Sequence, residues 1–179
     1  MKNEEILNAL TSHEFDLETL TKKSETIKVI DDEIKEIAKN LEIAMKITRA
    51  EGISAPQIGI HKRIIAYRSL SDDIEILINP EIIDDKKGIQ CEKEGCLSFP
   101  HMFGKVYRSK EIRVKGLNLN GEEVLVKAQK RIAAVLLHEL DHLNGDLFLE
   151  KINGRIEDPY GQKRIYDAIK KKLEKDSER

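Results

Sequence analysis

The sequence predicts an α+β fold, because helical and strand periodicities occur in separate segments of the chain. Apolar residues recur at helical spacing in two segments, and an alternating pattern with a turn dipeptide lies between them. No internal repeat or low-complexity linker interrupts the 179 residues. We therefore expect one domain over residues 1–179, in which a helical tail begins at about residue 159.

The first long helix is expected over residues 32–49. The dipeptide Asp31-Asp32 is a helix start signal. The residues that recur at helical spacing after it are Ile34, Ile37, Ala38, Leu41, Met45 and Thr48. This spacing places them on one face of the helix, which we expect to pack in the core.

Short strands are expected at residues 63–67 and 74–79, and Asn79-Pro80 is interpreted as the boundary of the second strand. Residues 111–127 alternate around Asn120-Gly121. That dipeptide between alternating runs is the strongest short signal for a hairpin. We therefore expect two antiparallel strands there.

The second long helix carries the run HELDH at residues 138–142. Its apolar face is formed by Ile132, Val135, Leu136, Leu140 and Leu143, and Asn144-Gly145 supplies a stop. Positions i and i+4 share a helical face, so His138 and His142 can bind one metal ion while Glu139 acts on a water. Exposed helices also carry such residues in ion-pair networks, but residues 132–137 resemble a buried run, where ionisable groups need a partner such as a metal.

A third metal ligand is predicted at Cys96. The chain has two cysteines, Cys91 and Cys96, and only Cys96 lies in a segment suited to a special backbone, EGCLSFP at residues 94–100. One thiolate and two imidazoles leave the fourth tetrahedral position open, as in catalytic sites. This ligand set suits zinc and also accepts Fe(II), Co(II) or Ni(II).

Three blocks of the sequence resemble the peptide deformylases: GISAPQIG at residues 52–59, EGCLS at 94–98 and HELDH at 138–142. The resemblance implies antiparallel sheets packed around the helix that carries the two histidines, preceded by an N-terminal strand and helix within residues 17–45. It also implies that the chain hydrolyses the formyl group from N-formyl-methionyl nascent peptides, with Fe(II) as the active metal.

The resemblance further implies the roles of individual residues. Glu139 would be the general acid–base, and the Gln57 side-chain amide and the Leu97 backbone N–H would donate to the oxyanion. Gly52 would be a position where the backbone approaches the substrate. Glu94 and Arg108 would form an internal salt bridge that fixes the segment around Cys96.

The predicted pocket for the first side chain of the substrate departs from the family, in which aliphatic groups line it. Arg131, Ala134 and Val135 lie on the helical stripe that leads to His138, and Glu51 precedes Gly52 on the opposite wall. Two interpretations remain open. Either Glu51 and Arg131 extend into solvent and leave the preference for formyl-Met intact, or they pair across the pocket mouth or bind a polar group of the substrate and lower that preference.

Three further departures from the family pattern lie in and beside these blocks. Ala50 stands where the first glycine is usual, Ser54 replaces the first alanine, and Leu137 replaces the glutamine before the metal-binding histidine.

The composition gives no bias toward DNA or membranes. The formal charge is −2, 36% of residues are charged, and no apolar run approaches membrane-spanning length. Residues 1–5 lack the apolar core of a signal peptide, and a thiolate ligand must stay reduced, so we expect a cytoplasmic location. The tail mixes basic and acidic residues, which favours packing on the domain over transient contact with the ribosome.

Two other functions are compatible with the helical motif. A zincin-type endopeptidase would take its third ligand downstream of His142, where Glu150 and Glu157 are the nearest candidates. A metal-binding homologue without catalytic activity would have lost a catalytic residue, yet all of those predicted above are present.

Overall fold

A five-stranded antiparallel sheet, with its strands in chain order, forms the frame of the protein. The structure is a computed structural model that describes residues 1–12, 14 and 16–157. The strands are β1 (Gly52–Ser54), β2 (Ile64–Arg68), β3 (Ile74–Cys96), β4 (Phe99–Leu117) and β5 (Glu123–Gln129). The helices are α1 (Asn3–Ser12), α2 (Leu17–Leu20), α3 (Asp32–Thr48) and α4 (Lys130–Asn144), with 3₁₀ turns at Ala55–Ile58 and Phe148–Lys151.

The sheet is covered by α3 on one face and by α4 on the other. Successive strand residues point to opposite faces, and β2 consists of apolar residues almost throughout. Ile64 and Ala66 pack in the cluster that contains α1 and α3, whereas Ile65 and Tyr67 pack against α4. The predicted α+β fold, with antiparallel strands around the helix of the HELDH run, is confirmed.

Helix α3 has the limits that its sequence signals predict. The Asp31 side chain accepts a hydrogen bond from the Ile34 backbone N–H at 3.1 Å, which caps the first turn. Arg49 adopts a left-handed conformation, with φ of 57°, and ends the helix. Helix α4 likewise ends at the predicted Asn144-Gly145, where Gly145 has φ of 82°.

The expected hairpin of residues 111–127 is confirmed, but the strand expected at 74–79 does not end at Asn79-Pro80. It continues to Cys96 and pairs with β4 over its whole second part. The register shifts between Ile78 and Glu81, and Asn79 adopts φ of 50°. A bulge at this point allows the strand to pass through Pro80, because the proline then takes no regular place in the ladder.

The N-terminal region differs from the expectation. Helix α1 was not predicted, and its Ile6 and Leu10 are buried in the core. The family resemblance implied a strand before α3, and this prediction is wrong for the described residues 16–31. The chain there forms α2 and an isolated bridge between Glu25 and Lys62. The predicted tail from about residue 159 lies outside the described residues, so the single-domain prediction for residues 1–179 stays a prediction. In the part of the chain that the structure describes, no helix is long and apolar enough to span a membrane.

Candidate active site

Cys96, His138 and His142 meet at the inner end of a cleft. One ligand atom from each lies within 4.8 Å of the others, and the Cys96 Sγ is 3.2 Å from His142 Nε2. The two imidazoles come from consecutive turns of α4, with ring centroids 5.0 Å apart. The thiolate comes from the end of β3, where the chain turns through Leu97 into β4. Secondary structure from two distant segments therefore assembles the three predicted ligands.

The electrostatics of this cluster suit a bound cation. Burial opposes ionisation of the Cys96 thiol, but His142 and His138 outweigh it and hold the pKa of the thiol well below its ordinary value. Burial would also lower the pKa of His138, yet its contacts with Cys96 and Glu94 raise it well above the usual value. A thiolate beside imidazole nitrogens is a donor set for a divalent transition metal, which would supply the positive charge in place of a proton.

The orientation of the His138 ring is fixed by Glu94. Burial raises the pKa of this carboxyl group, but Arg108 and His138 outweigh burial and lower it to about 2. An ionised carboxylate only accepts hydrogen bonds, so His138 donates from Nδ1 to Glu94 Oε2 at 2.9 Å. The ring thereby keeps Nε2 as the atom available to a metal.

The predicted ion pair of Glu94 and Arg108 is present, and it extends beyond these two residues. Arg108 donates from Nε and Nη2 to the two Glu94 oxygens at 2.6 and 2.8 Å, and from Nη1 to Asp141 Oδ2 at 2.6 Å. Lys151 Nζ donates to the other Asp141 oxygen at 2.5 Å. Neither Asp141 nor Lys151 was singled out from the sequence. The only available signal was the position of Asp141 within the HELDH run.

Glu139 lies against the backbone of Gly52. A Cβ atom at residue 52 would stand 2.8 Å from Glu139 Oε1 and 2.7 Å from Val135 Cγ1, so only glycine leaves room for this carboxylate. Burial raises the pKa of Glu139 despite the nearby His138 and His142. Glu139 Oε2 is buried and has no hydrogen-bond partner among the described residues. An unpaired oxygen with a raised pKa is suited to accept and release a proton.

The side-chain amide of Gln57 is held with its nitrogen toward the metal-binding cluster. Ser54 donates to Gln57 Oε1 from its backbone N–H at 2.9 Å and from its hydroxyl at 3.1 Å. These two bonds identify the oxygen, so Nε2 is the end that lies 3.4 Å from Cys96 Sγ. Sequence reasoning noted Ser54 only as a departure from the family, and the structure gives it this contact.

The cleft has a volume of about 600 Å³, and most of the predicted site residues line it. These lining residues are Gln57, Glu94, Cys96, Leu97, His138 and Glu139, together with Glu51, Gly52, Arg131, Ala134 and Val135, of which Glu51 and Arg131 are half exposed. His142 and Arg108 lie behind this lining. The structure therefore brings the predicted site residues into one region.

Of the two interpretations of Glu51 and Arg131, the structure shows the ion pair. Arg131 donates from Nε to Glu51 Oε2 at 3.0 Å, and its Nη2 also contacts this oxygen. Arg131 Nη1 lies 3.5 Å from a carboxylate oxygen of Glu92 and 3.4 Å from the Lys93 carbonyl oxygen. Glu92 and Lys93 were not among the residues singled out from the sequence.

The zincin alternative finds no support in the geometry. Glu150 accepts from the Leu147 backbone N–H at 3.0 Å, and Glu157 pairs with Lys93. Among the described residues, the ligand cluster contains a cysteine and neither of these glutamates.

Comparisons with known proteins agree with this site. A family model for polypeptide deformylase matches residues 10–157. The chain is 42% identical to a peptide deformylase of Thermomicrobium roseum, over 76% of this chain and 81% of that protein. It is 35% identical to one of Acetivibrio thermocellus, over 87% of this chain and 91% of that protein.

Solved structures are similar as well. The peptide deformylase of Thermotoga maritima aligns with a TM-score of 0.73 at 34% identity, covering 76% of this chain and 92% of that one. The Ehrlichia chaffeensis peptide deformylase in complex with actinonin aligns with a TM-score of 0.75 at 32% identity, covering 86% of this chain and 91% of that one. The chain belongs to the polypeptide deformylase family.

Proposed function

We infer that this protein is a metal-dependent hydrolase that removes the N-formyl group from the N-terminal methionine of newly made polypeptides and releases formate. The observation that carries this inference is the position of Glu139, whose unpaired carboxylate oxygen is buried beside Cys96, His138 and His142 at the end of the cleft. Membership of the polypeptide deformylase family supports the choice of substrate.

We propose that Cys96, His138 and His142 hold one divalent metal, with Fe(II) as the metal in the cell. The same donors also accept zinc, nickel or cobalt, so a purified sample can contain any of these. When bound, the metal supplies Lewis acidity, which polarises the formyl carbonyl and makes water acidic enough to ionise near neutral pH.

In this proposal Glu139 moves the protons of the reaction. Its carboxylate accepts a proton from the attacking water and later donates it to the nitrogen of the leaving amine. The pKa of Glu139 is raised by burial, which brings it closer to the pH at which both transfers occur. Gly52 serves this step because it leaves room for the carboxylate above α4.

The oxyanion of the tetrahedral intermediate needs hydrogen-bond donors. We propose that the Gln57 amide nitrogen and the Leu97 backbone N–H provide them. The two bonds from Ser54 hold the Gln57 amide in the required orientation before substrate binds. Glu94 and Arg108 act through His138, whose ring they orient.

The proposed substrate sets the proposed location and partners. N-formylated chains emerge from ribosomes in the cytoplasm, and we place the protein there. We expect no binding of DNA and no insertion into membranes. Contact of the C-terminal tail with the ribosome is a further prediction, and it concerns residues outside those that the structure describes.

The direct test is formate release from a short formyl-Met peptide by metal-loaded protein. The unformylated peptide and a longer peptide with a blocked amino terminus serve as controls. We expect stoichiometric formate and free amino terminus from the formylated peptide, and no internal cleavage of either control. Cleavage of an internal bond would indicate an endopeptidase, and no reaction at full metal occupancy would indicate a metal-binding homologue without activity.

A further inference from the structure

The outer part of the cleft contains a charged cluster that the proposed reaction does not use. Glu51 precedes β1, Glu92 lies on β3, and Arg131 lies in the first turn of α4. Three separate elements therefore bring two carboxylates and one guanidinium together. Glu51 and Arg131 line the cleft, and their side chains are 50% and 46% exposed. Substrate can reach this cluster because it is open to solvent.

The cluster lies where the end of a long first side chain is expected to lie. Arg131 precedes His138 by seven residues on the same face of α4, which is about 10 Å along the helix. Between them this face carries only the short side chains of Ala134 and Val135, opposite Gly52. A long side chain that extends along this face from a formyl group beside His138 would run toward Arg131.

The hydrogen-bond geometry of Arg131 leaves donor capacity unused. Its Nε and Nη2 are taken by Glu51, whereas Nη1 makes only contacts of 3.4 and 3.5 Å, at the limit of a hydrogen bond. Arg131 lowers the pKa of Glu51, so this carboxylate stays ionised at neutral pH and keeps the guanidinium in place. An acceptor on the substrate can replace the weak contacts of Nη1 at little cost.

The charges of the cluster restrict the kind of acceptor. Glu51 and Glu92 both contact the Arg131 guanidinium, so a substrate carboxylate that approached Arg131 would meet two like charges beside it. A cationic side chain would face the guanidinium itself. A neutral acceptor, such as an amide or sulfoxide oxygen, meets neither penalty and can accept from Nη1.

We propose that Arg131, held by Glu51, is a specificity-determining residue that donates a hydrogen bond to the end of the first side chain. The enzyme then accepts N-formyl peptides that begin with methionine sulfoxide or glutamine beside those that begin with methionine. This proposal rests on the proposed deformylase function and refines the substrate class of the same site.

The test compares kcat/KM for formate release from peptides that differ only in the first residue. The first residues are methionine, norleucine, methionine sulfoxide, glutamine, lysine and glutamate. The parent is expected to process the sulfoxide and glutamine peptides within about tenfold of the methionine peptide, and about tenfold or more faster than the lysine and glutamate peptides.

The deciding variant combines Glu51→Val with Arg131→Leu, which removes both charges together. The kcat/KM of the sulfoxide and glutamine peptides should then fall about tenfold relative to that of the methionine peptide. The kcat/KM of the norleucine peptide should rise relative to that of these two polar peptides. A matched control combines Asp84→Val with Arg113→Leu, a carboxylate–guanidinium pair of similar exposure outside the cleft lining. The control should keep the parent ranking at equal metal content.

Two results would overturn the proposal. In one, the parent already disfavours both polar peptides by more than about a hundredfold relative to methionine. In the other, the double variant leaves the ratio of polar to methionine peptides where it was in the parent. Formate release from the methionine peptide in either case shows that the deformylase function stands while the role of Arg131 fails. Absence of formate from every peptide would instead contradict the proposed function and the proposal together.

Discussion

The two ends of the cleft use similar charged residues in opposite environments. At the inner end, Glu94 and Arg108 are almost completely buried, and every polar atom of the Arg108 guanidinium has a carboxylate partner. At the outer end, the Glu51–Arg131 pair is half exposed. The inner network holds the ring of His138, whereas the outer pair is open to solvent. We therefore expect substitutions at the inner end to affect metal binding, catalysis and stability, and those at the outer end to affect substrate choice.

The largest effect is expected from Cys96→Ala, which removes the thiolate from the inner end. Two imidazoles alone bind a divalent metal much more weakly, so the variant should lose most of its metal and with it formate release. Elemental analysis of the purified variant beside the parent measures this. Near-stoichiometric metal in the variant would remove Cys96 from the ligand set. Cys91→Ala is the matched control, since Cys91 is exposed and lies outside the ligand cluster.

Glu139→Gln separates proton transfer from metal binding at the same end. Glutamine has nearly the same shape but cannot accept the proton of water, so kcat should fall by about a hundredfold to ten-thousandfold. The metal content should stay that of the parent, because Glu139 is not a proposed ligand. Formate release at matched metal occupancy is the measurement. A variant that turns over within a few-fold of the parent would show that another group takes the proton.

Arg108→Leu tests the network that orients His138. Removal of Arg108 from this buried network leaves Glu94 with only His138 as a partner and Asp141 with only Lys151, which we expect to cost about 3–5 kcal/mol in the free energy of unfolding. Urea unfolding at neutral pH measures this difference. Weaker metal binding than in the parent is expected in the same variant, because the carboxylate partner of His138 is no longer held. A loss of stability below about 1 kcal/mol would mean that the network contributes no more than a surface pair.

Gly52→Ala tests the contact between β1 and Glu139. The new methyl group would stand 2.8 Å from Glu139 Oε1, so the carboxylate must move away from its position. Displacement of a catalytic group by about 1 Å can lower kcat by about a hundredfold. Measurement of kcat and KM for a formyl-Met peptide separates this effect from a loss of substrate binding. A change in KM without a change in kcat would mean that Gly52 contacts the substrate but does not position Glu139.

Sequence signals predicted the parts of the fold that depend on neighbouring residues. The start of α3 follows from the Asp31 cap, and the β4–β5 hairpin follows from Asn120-Gly121. The extension of β3 could not be predicted in this way. Asn79 and Pro80 are local signals for the end of a strand, but the Asn79 side chain bonds to the backbone N–H and carbonyl of Ile27 at 2.9 and 2.8 Å. This contact spans 52 residues of sequence and holds the bulge within the strand.

The same distinction applies to the site. His138, Glu139 and His142 were predictable because a helix places them by spacing alone. The extension of the Arg108 network to Lys151 depends on where the segment after α4 returns to the helix, and no local pattern shows that. The pairing of Glu51 with Arg131 was left open for the same reason, because the two residues are 80 positions apart. Their complementary charges made a pair possible, and the packing of β1 against α4 made it geometrically available.

The smallest effect on stability is expected from Arg131→Leu, which is chemically the same change as Arg108→Leu at the other end of the cleft. The pair with Glu51 is half exposed, so its loss should change the free energy of unfolding by only about 0–1 kcal/mol. The difference should also depend on pH. Arg131 holds the pKa of Glu51 below the usual value of 4.5 in the folded state, so the pair contributes above the unfolded pKa and this contribution disappears as the pH falls through the folded pKa. Urea unfolding of parent and variant at neutral pH and at pH values below 4.5 should therefore show a small difference that vanishes in acid. A loss as large as that of Arg108→Leu would mean that the outer pair is part of the rigid structure and cannot exchange its contacts with a substrate.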